Sequence, residues 1–291
     1  MEEHTVRLRS GRTLKVREEG DPRGVPVFSL HGTPGSRILY PPHAADARAK
    51  GIRLVSYDRP GYGGSTEQPG RRIVDTAADV AAIADALGIE RFGVWGHSGG
   101  GAPALACAAT FGHRVVGAVC SAGVAPYPAE GLDWLAGTGE LNREDFHLML
   151  SDRPAWEEKN RKDREDMLSW HPDQLRTGLA SLCSEVDQAA LTEELVEFLI
   201  EQGREGLRPG VAGMRDDNLS TILPWGFELG EIRVPVQVWH GGQDLFVPVT
   251  HGKWVAARVP NADVHIEPNE GHITTFVRGI PAAQSWLAAR F

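Results

Sequence analysis

The segment Phe92-Gly93-Val94-Trp95-Gly96-His97-Ser98-Gly99-Gly100-Gly101 sets a serine among glycines in the pattern G-x-S-x-G. On a sharp strand-to-helix turn such a serine projects its hydroxyl away from the sheet, where a neighbouring base can make it a nucleophile. Bulky neighbours would clash at that turn, so glycines at 96 and 100 suit it. The following helix start would aim free N–H groups and a positive dipole end at a developing oxyanion. In a chain with 34 glycines the pattern alone can arise by chance. What gives it weight is context: an apolar run, Phe92–Trp95, precedes it, and an alanine-rich stretch, Ser98–Thr110, follows.

A serine nucleophile needs a histidine base on a loop at the same edge of the sheet. Of eleven histidines, His272 has the right setting, in Pro268-Asn269-Glu270-Gly271-His272 between the last strand candidate and the final helix. His97 adjoins Ser98, so its side chain is expected to point elsewhere. His240 and His265 fall in or at the end of strand patterns and read as packed or edge residues. The supporting acid should follow another strand, and Gly241-Gly242-Gln243-Asp244 supplies Asp244. Ionised, it would hold the imidazole in the right tautomer and stabilise the imidazolium. The alternative loop, Ser121-Ala122-Gly123-Val124, contains no carboxylate. Leu30-His31-Gly32-Thr33-Pro34-Gly35 can bring the Thr33 N–H toward Ser98, with Gly99 N–H as second oxyanion donor. His31 is expected to brace this loop.

These residues need a sheet to carry them. Thr5–Arg9 and Thr13–Arg17 alternate around Ser10-Gly11-Arg12 and predict an edge hairpin. Val25–Leu30, Ile52–Tyr57, Phe92–Trp95, Val115–Cys120, Val236–Trp239 and the shorter Val264–Ile266 are apolar runs suited to parallel strands covered on both faces. Helical stretches separate them: Val80, Ile83, Ala84 and Leu87 share one face before Gly88, and Ser98–Thr110, Trp254–Val259 and Ala282–Ala289 are further candidates. The alternation predicts a doubly wound, mostly parallel α/β sheet.

It breaks between about Val124 and Ile232, where helical patterns and four tryptophans (Trp134, Trp156, Trp170, Trp225) replace strands. So long a connection reads as an inserted helical cap, residues 124–232, on a core made of 1–123 and 233–291. Its tryptophans, with Leu148, Met149 and Leu150, are candidates for pocket walls, though packing onto the core accounts for most such residues. Asp152–Asp166 mixes six acids with five bases and reads as a solvated helix face.

With the order Ser98, Asp244, His272, the sequence resembles the α/β-hydrolase superfamily over nearly its whole length. Tyr57-Asp58-Arg59-Pro60-Gly61-Tyr62-Gly63-Gly64-Ser65 is similar to the D-x-P-G-x-G-x-S loop of that group. The resemblance implies that Asp58 and Arg59 brace loops near the site. His31-Gly32-Thr33-Pro34-Gly35 also resembles the H-G-G-P-G loop of proline iminopeptidases, but Thr33 replaces the second glycine and Gly99 stands where those enzymes carry a tryptophan.

The expected reaction is hydrolysis of a small carboxylic ester through an acyl-enzyme on Ser98, without a cofactor. An aminopeptidase, a C–C bond hydrolase or lactonase using the same triad, and a hydrolase-like receptor for a small ligand stay open. Serine at 98 argues against dehalogenase chemistry, and Tyr127 as the cap's lone tyrosine argues against epoxide opening. Metal-ligand spacing and phosphate-cradling glycine loops are missing. A net charge of −9 disfavours nucleic acid or an anionic membrane as partner, leaving a small-molecule substrate. Cys107, Cys120 and Cys183 make no disulfide framework, and the N-terminus lacks signal-peptide character, so the cytoplasm is the expected location. Monomer and homodimer are equally compatible with the sequence.

Overall fold

The computed structural model describes residues 1–291. Strands β1 (Glu2–Arg7) and β2 (Thr13–Gly20) pair antiparallel at one edge of the sheet, with Gly11 at φ +88° in the turn between them. Next come β3 (Val25–Leu30), α1 (Pro41–Ala49), β4 (Ile52–Tyr57), α2 (Asp75–Ala86), β5 (Phe92–His97), α3 (Gly101–Thr110) and β6 (Val115–Ser121). After residue 232 the chain returns through β7 (Val236–Gly241), α10 (Val249–Ala256), β8 (Asp263–Glu267), the short turn α11 (His272–Thr274) and α12 (Ile280–Ala288). Between β6 and β7 lie six helices and no strand: α4 (Glu140–Ser151), α5 (Arg153–Ser169), α6 (Pro172–Leu179), α7 (Glu185–Ala190), α8 (Glu193–Leu207) and α9 (Ala212–Ile222).

The eight strands run in the order β1-β2-β4-β3-β5-β6-β7-β8, and β2 meets β4 antiparallel while β4 through β8 are parallel. Successive strand side chains point to opposite faces, so the apolar runs build two cores. Phe28, Leu30, Val55, Phe92, Val94 and Val238 pack with Val80, Ile83, Leu105 and Val255 of α2, α3 and α10. On the opposite face Val27, Leu54, Trp95 and Val119 pack with Ala47 of α1 and Ile280, Ala283 and Leu287 of α12. Winding turns outward in both directions from β3 and β5. The crevice at their C-terminal ends is the switch point where such sheets bind ligands.

Three helix candidates have other bounds than the apolar pattern predicts, the last of them, Ala282–Ala289, by only one or two residues at each end. Ser98–Thr110 is not one helix: residues 98–100 form a 3₁₀ turn before α3, because the chain closes more tightly on itself there than an α-helix allows. The Trp254–Val259 candidate begins earlier, at Val249, where Pro248 supplies the extended residue before the first turn, and it ends at Ala256. No helix is long and apolar enough to cross a membrane.

Candidate active site

Ser98 leaves β5 with φ +55°, in the left-handed region that side chains disfavour by roughly 1–2 kcal/mol. Packing around it enforces this strain. A Cβ on Gly96 would lie 1.9 Å from the Gly100 carbonyl oxygen, and one on Gly100 would lie 2.1 Å from the Leu30 oxygen. The turn therefore closes against both itself and β3, with the serine, half-buried, at its apex.

His272 and Asp244 come together from the ends of β8 and β7. The His272 Nδ1–H donates to Asp244 Oδ2 at 2.7 Å, leaving Nε2 as the ring's acceptor. Asp244 Oδ1 accepts the Phe246 and Val247 N–H groups at 2.9 and 2.8 Å, so both oxygens are fixed. Burial would raise the Asp244 pKa, but the charge of His272 and a bond from His240 outweigh it and hold the carboxyl below its usual range. His240 Nε2 bonds the Val247 oxygen at 2.7 Å and sits 3.4 Å from Asp244 Oδ2. It supports the acid from beneath, more than the packed strand residue its sequence suggests. Ser98 and His272 line the same cavity without a hydrogen bond between them; such contacts are often long in ligand-free sites.

His97 does not point away from the site. Its ring lies 4.7 Å from that of His272, and Phe246 stacks on His272 at 4.6 Å. The cause is its position at the last residue of β5, where Nδ1 reaches Ser121 Oγ at 3.0 Å on the neighbouring strand. Burial, then the charge of His272, pushes its pKa well down, so it stays neutral beside the base.

Across the crevice, the Thr33 loop lies against the helix start: a Cβ on Gly99 would fall 3.2 Å from Thr33 N and 2.2 Å from its Oγ1. The Thr33 N–H makes no hydrogen bond. His31 braces this loop. Its Nε2 accepts Arg59 N–H at 3.2 Å, which places the ring proton on Nδ1, donated to Gly32 O at 2.7 Å. Asp58 accepts Arg37 N–H and Gly64 N–H at 2.7 and 2.9 Å, while Arg59 donates to the carbonyls of His31 and Gly32.

The central group of this side is Asp217 of α9, which the sequence did not single out. Its carboxylate accepts the Thr33 hydroxyl at 2.7 Å, the Tyr62 hydroxyl at 2.8 Å, Arg59 at 2.5 Å and Arg71 at 2.6 Å. Burial opposes ionisation, but Arg59 and then Arg71 hold its pKa far below the carboxylate range. Nothing in Arg215-Asp216-Asp217-Asn218 marks it, because every partner lies more than 140 residues earlier in the chain. Asp187 of α7 is the second unforeseen group: its carboxylate accepts the main-chain N–H of His272 and of Thr274, both at 2.9 Å.

Two cavities meet at Ser98. The wider, about 780 Å³, is bordered by Trp134, Phe146 and Met149 and by Asn142, Asp145 and Asp163. The smaller, about 210 Å³, is walled by Tyr40, Trp95, Phe198, Ile273 and Phe276 and also reaches His272. Trp134 and Trp170 line cavities, whereas Trp156 is fully buried and Trp225 packs in the main core. Of the three-residue apolar stretch on α4, Met149 alone faces a cavity, and Leu150 is exposed. The mixed-charge face of α5 is not wholly solvated: Trp156 and Asn160 are buried, and Lys159 and Asp163 border the wide cavity.

A family model described as alpha/beta hydrolase fold matches residues 25–173. The chain is 30% identical over 261 residues to a 2-hydroxy-6-oxononadienedioate/2-hydroxy-6-oxononatrienedioate hydrolase of Cupriavidus pinatubonensis, covering 84% of this chain and 80% of that one. It is 27% identical over 265 residues to a 2-hydroxy-6-oxo-6-phenylhexa-2,4-dienoate hydrolase of Burkholderia cepacia, covering 86% and 82%. Among solved structures, an esterase of a Rhodococcus species matches all of both chains with TM-score 0.69 at 22% identity.

Proposed function

Because the chain belongs to the α/β-hydrolase fold family, we propose that it is a serine hydrolase cleaving small, uncharged carboxylic esters, with Ser98 as nucleophile, His272 as base and Asp244 as supporting acid. The observation that carries this is the 2.7 Å bond from His272 Nδ1 to Asp244, made where Ser98 projects from its strained turn into the same cavity. His272 Nε2 takes the Ser98 proton as Oγ attacks the ester carbonyl. The Thr33 and Gly99 N–H groups receive the oxyanion, and the imidazolium returns its proton to the departing alcohol. Water, deprotonated by His272, then attacks the acyl-enzyme and frees the acid. No step requires a cofactor. The helices of residues 124–232 act as a cap that roofs the two cavities.

The charge of the lining supports the preference for uncharged esters. Lys159 is the one lysine or arginine bordering either cavity, and it is paired with Asp145 at 3.0 Å and Asp163 at 2.5 Å. A second reading, C–C bond hydrolysis, is favoured by the names of the curated relatives. A dienedioate, however, brings two carboxylates, and Asp145, Asp163, Asp166 and Asp173 around the wide cavity would repel them.

The test is hydrolysis of p-nitrophenyl esters from acetate to decanoate by the native protein and by Ser98→Ala. Turnover by the native protein should fall at least ~10³-fold in the variant. A half-ester of succinate should react more slowly than the neutral butyrate. Turnover that survives in Ser98→Ala would refute the assignment of the nucleophile. Cleavage of a 2-hydroxy-6-oxo-dienedioate without ester turnover would put the second reading first.

A further inference from the structure

In the turn that carries His272, the Thr274 hydroxyl accepts the Gly271 N–H at 2.7 Å, but no side chain of the turn accepts the N–H of His272 or of Thr274. The residue that precedes α11 is Gly271, which has no side chain to offer, and nearby Glu270 is engaged with Arg278 at 2.8 Å. The cap group instead comes from Asp187, 85 residues earlier, on α7. One oxygen accepts the N–H of His272 itself at 2.9 Å. The other accepts the Thr274 N–H at 2.9 Å and the Thr274 hydroxyl at 3.3 Å. Three donors converge on the two oxygens of a fully buried side chain. The fit is close: a Cβ on Gly271 would lie 2.2 Å from Asp187 Oδ2.

Resting on the triad reading above, we propose that Asp187 is a positioning residue for His272, so that the cap completes the catalytic centre as well as roofing it. The carboxylate fixes the main chain from which the imidazole hangs and adds a second anion near the imidazolium that forms when Ser98 is deprotonated. The groups that face His272 are Asp244 from the β7 loop, His97 from β5 and Asp187, with His240 acting through Asp244 and Cys183, just before α7, lying near the two aspartates. His97 is kept neutral by burial, and burial pushes the Cys183 thiol up to about 12, which leaves Asp244 and Asp187 as the acidic side chains of this group. The link also reaches the pocket. Helix α8, which follows α7 after a two-residue break, supplies Phe198 and Leu199 to the wall of the small cavity, so substrate filling that cavity bears on the element that holds the base.

A fluorophosphonate reads this out without knowledge of the natural substrate: Ser98 Oγ forms a bond to phosphorus, fluoride leaves, and His272 takes the serine proton. In Asp187→Asn the maximal labelling rate should fall roughly 10- to 100-fold, with the half-saturating probe concentration within about twofold. The acidic limb of its pH–rate profile should move to lower pH, because the imidazolium has lost a neighbouring anion; a purely structural role would leave the limb in place. Gly271→Ala, which forces Asp187 off the turn, should slow labelling likewise, and it carries the test if Asp187→Asn does not fold. Native-like labelling and an unmoved limb in either folded variant overturn the proposal. A native protein that is not labelled at Ser98 overturns the triad reading itself, and this inference with it.

Discussion

On the proposed oxyanion side of the site Asp217 is met by two guanidinium groups, Arg59 at 2.5 Å and Arg71 at 2.6 Å, and by two hydroxyls. On the base side Asp187 meets main-chain N–H groups and one hydroxyl, with no cation. Both are buried, both come from helices between β6 and β7, and each holds one loop of the site. The difference lies in what each leaves behind when it is removed. Asp217 balances buried positive charge, so the folded state depends on it. Asp187 satisfies donors of one short turn, so the geometry of that turn depends on it.

Removing Asp217 gives the largest effect this contrast predicts. Asp217→Ala would leave Arg59, whose side chain is fully buried, and Arg71, 3% exposed, without their common partner. The expected loss is about 3–5 kcal/mol of folding stability, against about 1–3 kcal/mol for Asp187→Ala, which strands only uncharged donors. Urea unfolding of the two variants compares them directly. Equal losses would mean that the charge around Asp217 is shared by other groups, and the contrast would fail.

Acid sharpens the same comparison. Asp217 has its pKa lowered by folding, so its contribution is present above the unfolded-state value near 4 and is lost as pH falls below it. His43 and His251, each pushed down to about 4 chiefly by burial, also favour the fold in their neutral forms. Their contribution is lost as pH falls from about 6.5 toward 4, equally in any Asp217 variant. The stability gap between native protein and Asp217→Asn should therefore be constant from pH 7 to about 5 and narrow below pH 4. A gap that narrows already between pH 6.5 and 5 would assign the effect to the histidines.

What sequence reading reaches follows from where each interaction is made. β3 and β4 span the residues their apolar runs predict, and β5 to β8 extend them by one or two residues, because strand formation answers to a local pattern. The proximity of Asp244 and His272 follows from the same source, since each stands in the loop after a strand and parallel strands bring such loops to one edge. Asp187 and Asp217 carry no local signal. One lies in a six-residue helix and the other among neighbouring polar residues, and their partners are set by how the helices between β6 and β7 pack on the sheet. His97 departs from its expected direction for a related reason: turn geometry says where Ser98 points, but Ser121 on the next strand decides where His97 goes.

The smallest expected effect isolates a single contact of the oxyanion side. Thr33→Val keeps the shape of the side chain but removes the hydroxyl that donates to Asp217 at 2.7 Å and accepts from Arg59 at 3.2 Å. Asp217 keeps Tyr62 and both arginines, so no charge is stranded and stability should fall by only about 1.5 kcal/mol. The Thr33 N–H would lose its lateral hold, and an oxyanion donor is effective only when aimed where the negative charge develops. Ester turnover should drop roughly tenfold with KM little changed, less than the ~10²–10³ expected for losing a donor outright. Unchanged turnover would show that Arg59, through the carbonyls of His31 and Gly32, is enough to fix the loop. The cap would then position the base side alone, and the symmetry between the two aspartates would be one of placement, not of function.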